Sequence, residues 1–373
     1  MADMLVAERY EQIVRELGAF GGLKVTELAA RLGVSRATVR RDLLDLESAG
    51  RVIRVRGGAM LAPQESGSVS RPAGVAPAAS TAAADARRPA PERPLGLLVP
   101  SATYYYPRVV EGVQAVVGER QARVIISLSG YGEANDAQAI EELVAAGAVG
   151  LLIASPGGHY LSPQTFDLLT ASGLPFVLIE RQPADVYAPC EFVVTDHRQG
   201  AYTAVRHLAD QGHDAVALFT NGSPTADLIR EGHTAAVERL ALKPTAPVLD
   251  SGYPTLGSEQ ADQYYGQFLD ACQESGVRAA LVHSDHDAIE LMRRMRARGL
   301  RAPHDLALIA YDDEIAALAD VPLTSVAPPK HEVGAHAARL LLDRLDAPDA
   351  VPIRQMFLQP RLVVRASSGT ARS

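Results

Sequence analysis

From Leu95 onward, apolar residues come in short unbroken runs, set between longer stretches with a helical spacing. The runs are LGLLVP (95–100), RVIISL (123–128), GLLIAS (150–155), PFVLIE (175–180), EFVVTD (191–196), AVALFT (215–220), AALVHS (279–284) and LALIAY (306–311). Each is too short for a helix and too uniformly apolar for a strand wetted on one face, so each predicts a strand buried on both faces. Between them, 107–119, 136–146, 199–211, 228–241, 259–275 and 286–298 predict helices. Such alternation predicts an α/β fold with doubly wound parallel sheets, whose ligands bind beyond the carboxyl ends of the strands.

The first sixty residues follow another pattern. Tyr10, Ile13, Val14 and Leu17 have helical spacing, which predicts a helix from Met4 to about Ala19, ended by Gly21 and Gly22. Thr26 is placed to N-cap a second helix, with Glu27 in its first turn, and Gly33 breaks it. Ser35 is placed to cap a third, with Val34 and Val39 at the two positions of a hydrophobic staple. Val39, Leu43 and Leu46 line one face, and Arg36, Ala37, Thr38, Arg40 and Arg41 fall mainly on the others. Gly50 closes this helix. Two helices joined by a short glycine turn, the second presenting arginine and threonine near its start, suit a helix-turn-helix that reads the major groove. RVIRVRGGAML then predicts a hairpin with Arg54 and Arg56 on one side, placed to lie along a DNA backbone. The alternative is a solvated helix whose arginines pair with Asp42, Asp45 and Glu47.

Between these parts, residues 62–93 are dominated by Ala, Pro, Ser and Gly and hold no Leu, Ile or aromatic residue. Too little apolar surface is available there to offset ordering entropy, so a flexible linker is predicted, on the order of 30 Å r.m.s.. The expected organisation is a DNA-binding head (1–61), a linker (62–93) and a two-lobed sensor (94–373).

Charge sharpens this division. The 373-residue chain carries a formal charge of −8, yet residues 1–61 hold ten Lys+Arg against eight Asp+Glu. Six arginines fall within 34–59, a local footprint suited to phosphate on an otherwise acidic chain. Only two cysteines occur, far apart, which disfavours a disulfide framework or a zinc site. The N-terminal stretch has early acids and no apolar signal core, and no run approaches the length of a membrane span. A cytoplasmic protein without membrane partner or cofactor is expected.

Enzyme signatures are not found. Gly130 and Gly132 are followed by Asn135 where a dinucleotide fingerprint needs glycine, and neither a GK[ST] loop nor a GxSxG elbow occurs. HSDHDA, with His283, Asp285, His286 and Asp287, has metal-ligand residue types but no second cluster, and reads as a polar strand-end loop. No catalytic or metal site is assigned.

Two resemblances add to this reading. VTELAARLGVSRATVRRDLLDLESAGRVIRVRGGAML closely resembles the winged helix-turn-helix of DeoR-type bacterial regulators. Ser35, Thr38, Val39, Arg40, Arg41, Asp42, Leu43, Leu46, Glu47, Gly50, Arg54, Gly57, Gly58 and Ala59 fit that signature. It implies DNA contacts from Ser35, Arg36, Ala37, Thr38, Arg40, Arg41, Arg54 and Arg56.

Residues of about 95–370 resemble the effector domain of the lactose/galactose repressor family, which is similar to periplasmic sugar-binding proteins. LGLLVPSATYYYPRVVEGVQ looks like its first strand, ligand loop and helix. PFVLIERQ and VVTDHRQGAYTAVRHLADQGHDAVALF look like the crossing to the second lobe, and RAALVHSDHDAIELMRRMRARGLRAPHDLALIAYDD like its later part. The resemblance implies two lobes, a hinge of crossover strands and an effector pocket drawing on Tyr104, Tyr105, Tyr106, Glu180, Arg230, Tyr253 and Asp285, with Arg230 close to Asp285. Carboxylates, arginine and an aromatic face suit a sugar. The tyrosines could instead be packing residues, and Arg230 a helix-face ion pair.

The first loop reads TYYYP where that family usually has SNPFF, and the linker stands where its hinge helix would be. The chain thus reads as a hybrid: a dimeric regulator, by default a repressor, controlled by a sugar-like effector on operator DNA. The alternatives are a vestigial sensor that only dimerises, or a solute-binding protein.

Overall fold

The computed structural model describes residues 9–10, 12–14, 16–17, 23–32, 34–48, 51–55, 58–61, 93–130, 136–252, 254, 257–348 and 350–369. Arg56, Tyr253, all of the expected linker except Arg93, and the glycines at 21, 22, 33 and 50 lie outside them.

The head begins with helical residues at 9–10, 12–14 and 16–17. A short strand, β1 (Leu23–Lys24), runs directly into helix α1 (Val25–Leu32). Thr26 is therefore inside this helix rather than its cap, a correction that follows from the strand ending one residue earlier. Helix α2 (Arg36–Ser48) and strands β2 (Val52–Val55) and β3 (Gly58–Leu61) follow. β2 and β3 form the expected antiparallel hairpin, and β1 pairs with the far side of β3. Ile13, Leu17, Leu28, Val39, Leu43 and Leu46 bury together, so one stripe from each helix closes a single small core.

The rest of the chain forms two α/β lobes. The strands of the first are β4 (Arg93–Val99), β5 (Ala122–Leu128), β6 (Gly150–Ile153), β8 (Phe176–Ile179), β10 (Glu191–Thr195) and β16 (Gln355–Leu358), in the order β16-β10-β8-β6-β4-β5, all parallel. A small ladder pairs β7 (Tyr160–Leu161) with β9 (Gln182–Pro183). Helices α3 (Tyr106–Glu119) and α10 (Lys330–Asp346) cover one face of the sheet. Helices α4 (Asp136–Ala145) and α5 (Pro163–Ala171) cover the other.

The second lobe orders its strands β12-β11-β13-β14-β15-β17: β11 (Ala217–Thr220), β12 (Val248–Asp250), β13 (Ala279–Val282), β14 (Ala307–Tyr311), β15 (Thr324–Ala327) and β17 (Arg361–Val363). All are parallel except the edge strand β17. Helices α6 (His197–Asp210) and α7 (Ala226–Arg239) cover one face, α8 (Glu259–Ser275) and α9 (Asp285–Ala297) the other. Covering both faces is what uniformly apolar strands require.

The chain passes between the lobes three times: from β10 to α6, from β15 to α10, and from β16 to β17. The Asp196 amide donates to the Leu358 carbonyl at 2.8 Å, tying the first passage to the third. The contact of α3 with α10 explains two glycines. A Cβ on Gly112 would sit 1.9 Å from the His331 carbonyl oxygen, and one on Gly334 would sit 2.0 Å from that of Val109. Among the described residues no helix is long and apolar enough to cross a membrane.

Candidate functional site: an interlobe cleft and a helix-turn-helix head

In the head, Ser35 caps α2: its Oγ accepts from the Thr38 amide at 3.1 Å, and its carbonyl accepts from the Val39 amide at 3.1 Å. Burial of Val39, Leu43 and Leu46 turns the opposite side outward, so Ser35, Arg36 and Arg41 are exposed and Thr38 is half-buried. Ala37 and Arg40 belong to α2 and Arg54 to β2, but their side chains, like Arg56 as a whole, lie outside the described residues. Asp42 is buried and held bidentately by Arg9, Nε to Oδ2 at 2.5 Å and Nη2 to Oδ1 at 2.9 Å. One acid that might have neutralised the α2 arginines is thus engaged by the first helix, a contact the sequence reading missed.

A cleft of about 470 Å³ opens between the lobes beyond the carboxyl ends of their strands. The three tyrosines of its first loop have separate roles. Tyr104, at φ 60, reaches across the cleft and donates its hydroxyl to Asp285 Oδ1 and, at 3.1 Å, to Asp312 Oδ2, with its ring 4.8 Å from that of His286. Tyr105 donates to Glu180 Oε1 at 2.6 Å. Tyr106 starts α3 and packs into the first lobe's core while still edging the cleft.

Glu180 follows β8 at φ 55 and is 2% exposed. Besides Tyr105 it accepts from the Thr195 hydroxyl at 2.7 Å and the Thr195 amide at 2.9 Å, and His197 Nε2 is 3.6 Å away. Burial alone would raise its carboxyl, but His197 and these hydrogen bonds outweigh burial and hold it at about 2.

Asp285 was expected in the cleft beside Arg230, and the structure corrects this. Asp285 is fully buried at the start of α9, and its Oδ2 accepts from the amides of Glu314, Ile315 and Ala316 at 2.8, 2.7 and 3.2 Å. Its position at a strand end is as expected, but its oxygens are engaged internally. Arg230 projects from α7 and pairs with Asp227 Oδ1 and Asp250 Oδ2, both at 2.7 Å, outside the cleft lining. Its spacing of three residues from Asp227 explains why: the pair lies along one outer helix face. Tyr253 lies outside the described residues.

The sequence reading missed Arg181, His197, Asn221, His283 and Asp312, all of which line the cleft. Four of them lie just beyond a predicted strand and His283 at the end of one, a signal that could have found them. Arg181 is 2% exposed: Nη1 donates to the Glu180 carbonyl at 2.7 Å, and Nε and Nη2 have no partner. His197 Nδ1 lies 3.1 Å from the Tyr311 hydroxyl, and its Nε2 makes no hydrogen bond. Asp312 is buried, which raises its carboxyl against the lowering effect of Lys330.

HSDHDA does not converge on a metal. Asp287 accepts from the Ser284 amide and hydroxyl, Asn221 Nδ2 and the Tyr265 hydroxyl. Among the described residues no group of three metal-ligating side chains comes together. Ser223, His283 and Asp312 follow one another as nucleophile, base and acid would, but the separations are 3.4 and 3.9 Å and burial pushes His283 down to about 4. These are neighbours rather than a proton relay.

Comparison with known proteins agrees with this architecture. A family profile for the DeoR-like helix-turn-helix domain matches residues 9–65, and one for the periplasmic binding protein-like domain matches residues 205–368. A helix-turn-helix transcriptional regulator encoded 5′ of aml in Streptomyces limosus is 30% identical over 282 residues, 74% of this chain and 78% of that protein. The arabinose metabolism transcriptional repressor of Geobacillus stearothermophilus is 25% identical over 350 residues, 92% of this chain and 90% of its own. A LacI family transcriptional regulator from Enterococcus faecium, solved with bound ribose, superimposes with a TM-score of 0.62 at 24% identity, over 74% of this chain and 99% of that one.

Fold and cleft define a two-lobed sensor joined to a DNA-binding head. The chain belongs to the family of helix-turn-helix transcriptional regulators that carry a periplasmic-binding-protein-like sensor.

Proposed function

We propose that this regulator is a repressor that binds operator DNA as a homodimer and is controlled by a carbohydrate held between the lobes. The observation that carries this is a cleft walled by both lobes and lined by carboxylates, histidines and tyrosines, on the same chain as an arginine-bearing capped helix. The name of the arabinose metabolism repressor, which matches nearly the whole chain, supports both repression and a sugar effector. Ser35, Arg36, Ala37, Thr38, Arg40 and Arg41 read and grip the DNA, and Arg54 and Arg56 of the hairpin hold its backbone. Glu180 and the tyrosines shape the effector site. Two heads on a two-fold dimer suit paired half-sites.

Effector binding changes the angle between the lobes, and hence the relation of the two protomers and of their heads. The linkage requires only that effector and DNA favour different arrangements. Tyr104 favours a second reading, a sensor that stays shut and serves only to dimerise, because it already joins the lobes.

The test is a gel shift on genomic fragments selected by the purified protein. Arg40→Ala/Arg41→Ala should abolish the specific shift, leave folding intact and leave effector affinity unchanged. A double variant that shifts its operator as wild type does would remove α2 from the DNA interface.

A further inference from the structure

The acids of the cleft are already engaged. Glu180 is occupied by Tyr105 and Thr195, Asp285 by Tyr104 and three backbone amides, Asp287 by Ser284, Asn221 and Tyr265, and Asp312 accepts from Tyr104. What remains open is of the opposite kind. Arg181, almost wholly buried, leaves Nε and Nη2 without partners, and among the described residues it forms no ion pair. Across the cleft, at the start of α6, His197 Nε2 also makes no hydrogen bond, with Glu180 Oε2 3.6 Å away.

The two empty Arg181 nitrogens form one edge of the guanidinium, the side-on edge that matches two oxygens of a single anionic group. The head shows that edge in use, where Arg9 holds both oxygens of Asp42 through the same pair of atoms. A buried cation with two unmet donors is costly unless something completes it. A neutral sugar could fill the donors but would leave the charge uncompensated. An anionic oxygen pair does both.

We infer that the effector is a carbohydrate bearing an anionic group, a carboxylate or a phosphate, held side-on by Arg181. The inference rests on the cleft being an effector site, as proposed above, and it names the chemical class of that effector. It also gives Glu180 a supporting part: its backbone carbonyl holds Nη1 and so fixes the plane of the guanidinium.

The test is calorimetry on the full-length protein with matched sets: neutral pentoses and hexoses, their aldonates and uronates, and their terminal phosphates. One acidic member should bind roughly ten- to a hundredfold more tightly than its neutral parent, the range for a hydrogen-bonded charge pair. Preference for the carboxylate or the phosphate set identifies which group supplies the oxygens. Arg181→Met should reduce the acid's affinity to that of the neutral sugar, while leaving the ligand-free melting temperature unchanged or higher, because it removes an uncompensated buried charge. If that variant fails to fold, Arg181→Lys keeps a cation without the paired edge and should lose most of the preference. Equal binding of neutral and acidic members, with Arg181→Lys or Arg181→Met unaffected, would overturn the anionic class and leave the cleft as a neutral-sugar site. Binding by no member of any set would overturn the effector reading itself and point to a sensor that only dimerises.

Discussion

Glu180 is the residue whose environment is most sharply set. It is buried, yet its carboxyl is held at about 2 against an ordinary 4.5. A depressed carboxyl contributes stability that is complete above its unfolded value and is lost as pH falls through its folded one. The window is therefore from about 4.5 down to about 2, and the contribution is about 3 kcal/mol at one unit per 1.36 kcal/mol. Asp285 and Asp312, raised mainly by burial, act with the opposite sign but are present in both proteins of a comparison. Glu180→Gln should thus be less stable than wild type at neutral pH, with the difference shrinking as acid protonates the wild-type carboxylate. Urea unfolding at pH 7, 4.5 and 3 measures this, and a difference independent of pH would contradict it.

At the scale of elements, six helices and eight strands of the two lobes were legible, because uniformly apolar runs with helical spacing between them have few other solutions, whereas the long helix α10 and the short buried strand β15 were not read. Helix α5 was not: PQTFDLLTA is short and buries only Leu169 deeply, so its apolar stripe is weak, and its clearest mark is the Ser162 cap on Thr165 at 3.1 Å. Strands β12 and β16 lie at sheet edges with alternating burial, which breaks the uniform pattern. At the site, Glu180 and the tyrosines could be found by position after a strand. The engagement of Asp285 could not, since its amide partners lie about thirty residues away. Arg230 was misplaced because sequence order does not distinguish the inner from the outer face of a helix. The close contact of α3 with α10 makes a separate prediction. Gly334→Ala would put a methyl group 2.0 Å from the Val109 carbonyl oxygen, so α3 and α10 must part. A loss of about 1–3 kcal/mol or more is expected, the cost of overpacking. A denaturation midpoint equal to wild type would show that the helices adjust freely.

Across the whole molecule, three chain passages join the lobes, and Tyr104 spans the cleft in front of them, from the first lobe to Asp285 and Asp312 of the second. Tyr104→Phe keeps the ring and removes the hydroxyl. It should lower the stability of the ligand-free protein by about 1.5–3 kcal/mol, as for hydrogen bonds to charged groups. It should also enlarge the radius of gyration in small-angle scattering, as the lobes separate. An unchanged radius would mean that the chain passages, not Tyr104, set the angle between the lobes.

The central claim is that occupation of the cleft governs occupation of the operator. The most direct measurement is fluorescence anisotropy of a labelled operator, saturated with full-length protein and titrated with the carbohydrate that calorimetry finds to bind. Operator affinity should change by about five- to 150-fold, the usual range of coupling between two sites. By reciprocity, operator DNA should change the carbohydrate's affinity by the same factor. A carbohydrate that binds the cleft tightly while operator affinity stays constant would contradict the account.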